Sequence, residues 1–221
     1  PFLRTALGKV PELHPLRKIL AEILLDMNRI PEAAEVFREA EGRFQDNLEY
    51  LVPAAAFYHQ ARLGTDAERC FLRILTIAPA RVATYNDLAK LYSDFAQFSK
   101  ARDLCEQGLK LEPRSPALWN TLANAQHCIG LIDESIRSYK TVLEFAPSLS
   151  GAHSNLLLVM HYPSGIDPAE LFEEHKLWGR IHAPPGLATK VFPNAPDPGR
   201  RLRIGYLSPD IRKHSVAFFL E

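Results

Sequence analysis

The stretch SPALWNTLANAQHCIGLIDESIRSYKTVLEFAPS, residues 115–148, decides the fold, because its pattern recurs along the chain at a fixed interval. Pro79, Pro113 and Pro147 are spaced by 34 residues and then by 34 again. Pro11 lies two further intervals upstream, and Gln45 occupies the position between. Proline cannot continue the hydrogen-bond ladder of a helix, so each of these prolines is expected to close one. A period of this length predicts a stack of similar helical units.

Other columns repeat in the same register, with large residues in some and small residues in others. They match the signature positions of the tetratricopeptide repeat, a unit of two antiparallel helices. One unit cannot bury its apolar face alone, whereas a stack encloses a continuous core and leaves a concave groove. The sequence therefore predicts an all-α, right-handed tetratricopeptide-repeat solenoid. The aligned columns are Leu20, Ala54, Leu88 and Leu122; Ala21, Ala55, Ala89 and Ala123; Leu24, Tyr58, Tyr92 and Gln126; Ala33, Ala67, Ala101 and Ser135; and Phe37, Phe71, Cys105 and Tyr139.

Four full repeats are expected, at residues 14–47, 48–81, 82–115 and 116–149. Residues 1–13 match the second helix of an earlier repeat, so further repeats are expected upstream. Aromatic residues in signature positions are expected to be core side chains rather than a stacking platform, and so are two of the cysteines. These expected core residues are Phe37, Cys70, Phe71, Tyr85, Tyr92, Cys105 and Trp119.

Residues 150–183 continue the helical pattern but depart from the repeat. The second helix of this pair is predicted to start after Asp167, which can cap it, with Glu170 completing a capping box. Its apolar stripe includes Phe172 and Trp178. An atypical last pair either caps a solenoid or docks it onto a neighbouring domain. The two aromatic residues favour docking.

Composition and residue spacing argue against several classes of function. Basic and acidic residues number 26 each, so no general affinity for nucleic acid or membrane lipid is expected. No apolar run is long enough to span a membrane, and no secretion signal is recognisable. The three widely spaced cysteines argue against a disulfide framework and favour a cytoplasmic location. The histidines lack metal-ligand spacing, so no metal and no other cofactor are expected.

The character of the sequence changes after the last helix. Residues 184–199 are rich in proline and predict a semi-rigid linker. The short apolar run at residues 202–207 predicts a buried strand, and residues 200–221 are expected to begin an α/β domain. One strand needs neighbours on both edges, so most of that domain is expected beyond the end of this chain. Ligands bind beyond the carboxyl ends of such strands, which makes His214, in the loop at 208–215, a candidate catalytic residue.

The order of these segments resembles the O-linked N-acetylglucosamine transferases and the related SPINDLY proteins. In that family a repeat array precedes segments similar to AHSNLLLVMHY, EHKLWG and LRIGYLSPDIRKHSV, at residues 152–162, 174–179 and 202–216 here. The resemblance implies a two-lobed GT-B-type catalytic region that transfers N-acetylglucosamine from UDP-GlcNAc to Ser or Thr hydroxyls, with inversion. It also implies that His214 acts as a base or positions the acceptor, and that the nucleotide-binding residues lie beyond Glu221.

Better-known members of the family hold an extended peptide with an asparagine at the sixth position of each repeat. Only Asn155 matches that ladder here, and Asn124, in the ninth position of its repeat, is expected to face the groove as well. Both are candidate residues for binding a protein or peptide acceptor, in a groove that differs from the family's, as expected of a bacterial relative. The sixth positions are Ile19, Pro53, Asp87, Thr121 and Asn155.

Two alternatives remain open at this point. A SPINDLY-like protein O-fucosyltransferase that uses GDP-fucose is compatible with every segment of the chain. A repeat scaffold without enzymatic activity explains residues 1–149 equally well, but it does not explain the proline-rich linker and the strand. A nucleic-acid-binding repeat is disfavoured, because no recurring polar code lies on a basic face.

Overall fold

The computed structural model describes residues 2–183 together with Gly186, Gly199 and Arg201. The predicted strand at residues 202–207 and the candidate catalytic residue His214 lie outside the described residues.

The described residues contain eleven α-helices, all within the first of two compact units, Pro1–Ala183 and Pro184–Glu221. From α2 onward the helices follow one another in pairs, and α1 precedes the first pair. This succession confirms the predicted all-α repeat fold. In chain order the helices are α1 Phe2–Lys9, α2 His14–Asp26, α3 Ile30–Phe44, α4 Leu48–Gln60, α5 Gly64–Ile77, α6 Val82–Asp94, α7 Phe98–Leu111, α8 Pro116–Cys128, α9 Ile132–Phe145, α10 Ser150–Met160 and α11 Pro168–His182.

The backbone repeats with the same period as the sequence. Asn28, Arg62, Ala96 and Gly130 lie 34 residues apart, and their φ angles are 56°, 60°, 57° and 83°. Each ends the turn that follows the first helix of its repeat. In each turn the next amide donates to the carbonyl five residues earlier, as Leu63 N does to Tyr58 O at 2.8 Å. A left-handed backbone suits glycine, so the three other residues adopt it at a cost that the common turn imposes.

Two columns of small residues explain how closely the helices pack. Ala21, Ala55, Ala89 and Ala123 have no exposed surface, and neither do Ala33, Ala67, Ala101 and Ser135. Small side chains at these positions let helix backbones approach, as the sequence predicts. Ser135 is the one polar residue in these columns, and its hydroxyl has a hydrogen-bond partner, because Oγ donates to the Ala123 carbonyl at 2.8 Å. The buried apolar residues form two clusters, one from Leu7 to Ala125 and one from Ala123 to Met160, and Trp119 packs against both.

The fourth position of the repeats carries hydrogen-bond donors that reach the end of the preceding second helix. In three repeats the donor bonds the carbonyl of the proline six residues earlier, which satisfies a group that proline leaves outside the helix. Tyr85 and Trp119 are therefore only partly buried, whereas Phe37, Phe71 and Tyr92 are buried as predicted. The three bonds are Arg17 Nη2 to Pro11 O at 3.0 Å, Tyr85 Oη to Pro79 O at 2.9 Å, and Trp119 Nε1 to Pro113 O at 2.8 Å.

The last pair differs from the repeats, because α11 has no fully buried residue. Asp167 caps α11 as predicted, accepting a hydrogen bond from Ala169 N at 2.9 Å. Glu170 does not close the predicted capping box, since its carboxylate contacts Lys140 Nζ at 3.4 Å instead. Phe172 is 62% exposed within the described part of the chain, which is compatible with the predicted docking role of this helix.

Candidate functional site on the first-helix face

The first helices α2, α4, α6, α8 and α10 line the predicted groove and define the first-helix face. Along it, α2 contacts α4, α6 contacts α8, and α8 contacts α10. The sixth positions of the repeats are chemically unlike one another. Ile19 is exposed, Thr121 is buried, and Asn155 is partly buried. A uniform asparagine ladder is therefore replaced here by local polar clusters.

One cluster joins α6 to α8 around Asn86. The Asn86 amide donates to the Ala117 carbonyl at 3.1 Å and to Thr121 Oγ1 at 2.9 Å, and it accepts from Lys90 Nζ at 3.2 Å. The reversed amide would set its oxygen against the Ala117 carbonyl, so this orientation is the one that the contacts support. Asn86 is buried and fully engaged within the protein, which makes it a structural residue rather than a free binding group.

A second cluster joins α8, α9 and α10 and contains both predicted asparagines. The Tyr139 hydroxyl, on a side chain with no exposed surface, donates to Asn124 Oδ1 at 2.5 Å. It also forms a hydrogen bond with the side chain of Asn155. Burial raises the pKa of Tyr139, while the bond from Asn155 acts in the opposite direction, so the phenol stays protonated at neutral pH. The structure thus brings Asn124 and Asn155 together through a residue that the sequence analysis did not select.

The Tyr139 hydroxyl determines which amide atoms of Asn124 and Asn155 remain available to bind a ligand. Its single proton goes to Asn124 Oδ1, so Asn124 keeps its amide N–H groups. It can then only accept from Asn155, which keeps a carbonyl oxygen. Both asparagines are partly exposed. Together they offer amide N–H groups as donors and a carbonyl oxygen as an acceptor, the two kinds of group that a peptide bond requires.

Charge is unevenly distributed along the first-helix face. Helices α8 and α10 carry no lysine, arginine, aspartate or glutamate. Helix α6 carries Asp87, Lys90 and Asp94, and His59 Nε2 of α4 contacts Asp94 Oδ2 at 2.8 Å. A ligand at Asn124 and Asn155 therefore meets neutral polar groups, whereas one at α4 and α6 meets charges.

A cleft of about 550 Å³ opens on α2 and α4, at the N-terminal part of the same face. Pro15 and Val52 contribute to its apolar walls, and its charged residues are Lys18, Glu49 and Arg81. It is shallow and open, which suits side chains of a bound segment better than an enclosed small molecule.

No group of three or more histidine, cysteine, aspartate or glutamate side chains among the described residues is arranged to hold a metal ion. Within the same residues, no helix combines the length and apolarity needed to cross a membrane.

The structures that this chain resembles include that of an enzyme. The structure of a variant of the Thermobaculum terrenum O-GlcNAc transferase is 30% identical with a TM-score of 0.60, over 77% of this chain and 33% of that one. The SPINDLY protein of Arabidopsis thaliana, named a probable UDP-N-acetylglucosamine–peptide N-acetylglucosaminyltransferase, is 41% identical over 80 residues, or 34% of this chain. This chain is similar to the O-GlcNAc transferase family. The similarity confirms the relationship that the sequence predicts.

The similarity extends over only part of the curated relatives' length. The Arabidopsis match covers 8% of that protein's length, so most of the relative has no counterpart here. No family model matches the chain. The repeat protein YrrB is 15% identical with a TM-score of 0.59 over 81% of this chain and 91% of its own, which shows the fold alone.

Sequence reasoning missed Tyr139 as a site residue, although a signal was present. In the aligned column Phe37, Phe71, Cys105 and Tyr139, only the last has a hydroxyl. A polar atom in an otherwise apolar core column needs a partner, and the nearest groups that could supply one are on the groove side.

Proposed function

We propose that this chain is the acceptor-binding arm, and the start of the catalytic region, of a protein O-GlcNAc transferase. The observation that carries the proposal is the match to the Thermobaculum terrenum enzyme at 30% identity over 77% of the chain. That identity is twice the 15% of YrrB, which has the same fold. A shared repeat architecture therefore does not by itself account for the 30% identity to the Thermobaculum terrenum enzyme.

In the proposed reaction, a Ser or Thr hydroxyl oxygen of an acceptor protein attacks the anomeric carbon of UDP-GlcNAc from the face opposite the nucleotide. The bond from that carbon to the UDP oxygen breaks, and the configuration inverts. His214 takes or orients the hydroxyl proton, a task that suits a neutral imidazole because its pKa lies near the working pH. The nucleotide sugar is the donor, the reaction requires no metal, and the groups that hold UDP lie in a GT-B-type region beyond Glu221.

The acceptor lies on the first-helix face in this proposal. Asn124 donates to a backbone carbonyl of an extended segment, and Asn155 accepts from a backbone N–H, so one peptide unit is held without regard to its side chain. The neutral surface of α8 and α10 supports this choice, because it adds no charge requirement to the bound segment. YrrB, which shares the fold, is described as having an unusual peptide-binding site. The buried, free thiols of Cys70 and Cys105 suit a reducing cytoplasm.

The experiment is sugar transfer by the full-length protein, with labelled UDP-GlcNAc and, separately, labelled GDP-fucose. We expect transfer from UDP-GlcNAc, and a loss of at least about a hundredfold in the His214→Ala variant, the range found for general bases. A control variant, His59→Ala, changes a histidine of α4 that pairs with Asp94 and has no role in the proposed reaction, so it should retain activity. Transfer from GDP-fucose alone would favour the SPINDLY-like alternative, and transfer from neither donor would leave a repeat scaffold.

A further inference from the structure

Two pairs of histidines join α10 to α11. His153 Nδ1 lies 3.1 Å from His182 Nε2, and His161 Nε2 lies 3.3 Å from His175 Nε2. Two imidazole nitrogens approach this closely only when one donates a proton and the other accepts it. Each pair therefore requires at least one neutral ring. If both rings of a pair are protonated, all four nitrogens are donors and the two cations repel each other.

His153 departs from the pattern of its column. In three earlier repeats the fourth position donates to a proline carbonyl of the preceding second helix, but His153 directs both ring nitrogens to α11. Its second nitrogen, Nε2, lies 3.1 Å from Glu174 Oε1, and the residue is only 1% exposed. The position that ties one repeat to the previous one is used here to attach the last helix.

Helix α11 has few other attachments to the described residues. No residue of it is buried, and its apolar contact with the second core cluster comes chiefly from Leu171. Trp178 Nε1 donates to Ser154 Oγ at 3.0 Å, and the exposed Lys140–Glu170 pair spans 3.4 Å. Exposed ion pairs of this kind contribute little. The histidine contacts are therefore a substantial share of what holds α11 in place.

The charged groups around the two pairs determine how they respond to protons. Glu174 faces His153 and favours its charged form, whereas burial, the larger effect, and His182 lower the pKa of His153. No carboxylate contacts His161 or His175 within the described part of the chain. From the neighbouring helices, α9 contributes Lys140, which contacts Glu170. From α8, the ring of His127 packs against Tyr162 with centroids 5.0 Å apart.

We propose that the two histidine pairs form a proton-sensitive clasp, which holds α11 on α10 at neutral pH and releases it under mild acid. Free histidines titrate near pH 6.5, and the docked state binds fewer protons than the released state, so docking weakens as the pH falls through that value. His182 is the last residue of α11, and the second compact unit starts two residues later, at Pro184. Acid would thus loosen the helix that leads into the second unit. The clasp does not depend on transferase activity.

Amide hydrogen exchange of the full chain, read by mass spectrometry at about pH 7.5 and about pH 5.5, tests the clasp. After correction for intrinsic exchange rates, the protection of α11 should fall by up to about tenfold for each pair, the limit for one histidine that stays neutral in the docked state and titrates near pH 6.5 when released. The protection of α9 should change much less. Trp178 fluorescence should follow the same transition, because the indole loses Ser154 when α11 leaves.

Variants separate the clasp from general acid sensitivity. His161→Gln/His175→Gln removes the exposed pair with little effect on the core, and we expect it to reduce the pH dependence of α11 several-fold. His59→Gln is the matched control, since His59 pairs with Asp94 on α4 and α6 and should leave α11 unchanged. Protection of α11 that is equal at both pH values would overturn the proposal, and so would a pH dependence that the double variant retains in full.

Discussion

Replacing Tyr139 with phenylalanine removes one oxygen from the centre of the candidate acceptor site. The side chain has no exposed surface, and its hydroxyl bonds Asn124 at 2.5 Å and also bonds Asn155. The aromatic ring remains, so no large cavity forms. Each neutral hydrogen bond contributes about 1 kcal/mol net, and the two asparagines can partly rehydrate. We expect the free energy of unfolding to fall by about 1–2 kcal/mol.

Tyr58→Phe is the matched control, because it removes the same atom from an equally buried tyrosine in another repeat. Tyr58 is 1% exposed, yet its hydroxyl has no hydrogen-bond partner among the described residues. A buried, unpaired hydroxyl costs about 1–3 kcal/mol, so its removal should be neutral or stabilising. The two substitutions are chemically identical but should have effects of opposite sign.

Urea unfolding of the full chain, followed by far-ultraviolet circular dichroism, measures both effects, with unchanged slopes taken as evidence of an unchanged transition. Thermal melts should agree, at about 2–4 °C per kcal/mol for a protein of this size. Equal destabilisation by the two substitutions, or a larger loss for Tyr58→Phe, would refute the assigned hydrogen-bond network.

Three further predictions concern the repeats. Ala96→Gly should stabilise the fold by about 0.5–1 kcal/mol, because Ala96 adopts a φ of 57° that suits glycine. Gly130→Ala, at the equivalent turn of the next repeat, should destabilise the fold by about 1 kcal/mol. Urea unfolding measures both changes. Gly108→Ala should cost about 1–3 kcal/mol, since the new Cβ would lie 2.7 Å from Leu118 Cδ1; in the same assay Gly42→Ala, whose Cβ meets nothing within 4 Å, should not. Under a thiol reagent at neutral pH, only the exposed Cys128 should react before the protein unfolds. Burial raises the pKa of the Cys70 thiol to about 11 and that of the Cys105 thiol to about 12. Rapid labelling of all three thiols would contradict the burial of Cys70 and Cys105.

The repeat fold was predictable because its physical requirements are periodic. A column such as Ala21, Ala55, Ala89 and Ala123 must be small wherever two helices touch, and the same constraint recurs every 34 residues. The turn was not predictable from residue type. Its left-handed residue is asparagine, arginine, alanine or glycine, and the geometry of the helix pair, rather than local preference, imposes the conformation.

The last helix was harder to predict, because its apolar residues do not share one environment. Phe172 is exposed, whereas the Trp178 indole donates a hydrogen bond to Ser154. Polar contacts hold α11 on α10, and contacts between distant residues leave no periodic signal. His153 and His182 are 29 residues apart, so their pairing requires the fold.

The candidate acceptor site was predictable from the sequence only in part. Asn124 and Asn155 were selected from the sequence by their positions in the repeat, but their joint engagement by Tyr139 depends on how three helices meet. Their roles as peptide-binding groups remain predictions. The role of His214 is also a prediction, because that residue lies outside the described part of the chain.

The central claim is that the first-helix face holds the acceptor of a glycosyltransferase, and steady-state transfer from UDP-GlcNAc to a protein acceptor tests it most directly. The full-length protein is compared with its Asn124→Ala/Asn155→Ala variant. Two lost hydrogen bonds of about 1 kcal/mol each predict a rise in acceptor KM of about tenfold or more, with kcat unchanged, because backbone contacts to the acceptor contribute equally in the ground state and the transition state. An unchanged KM in an active variant would contradict the claim.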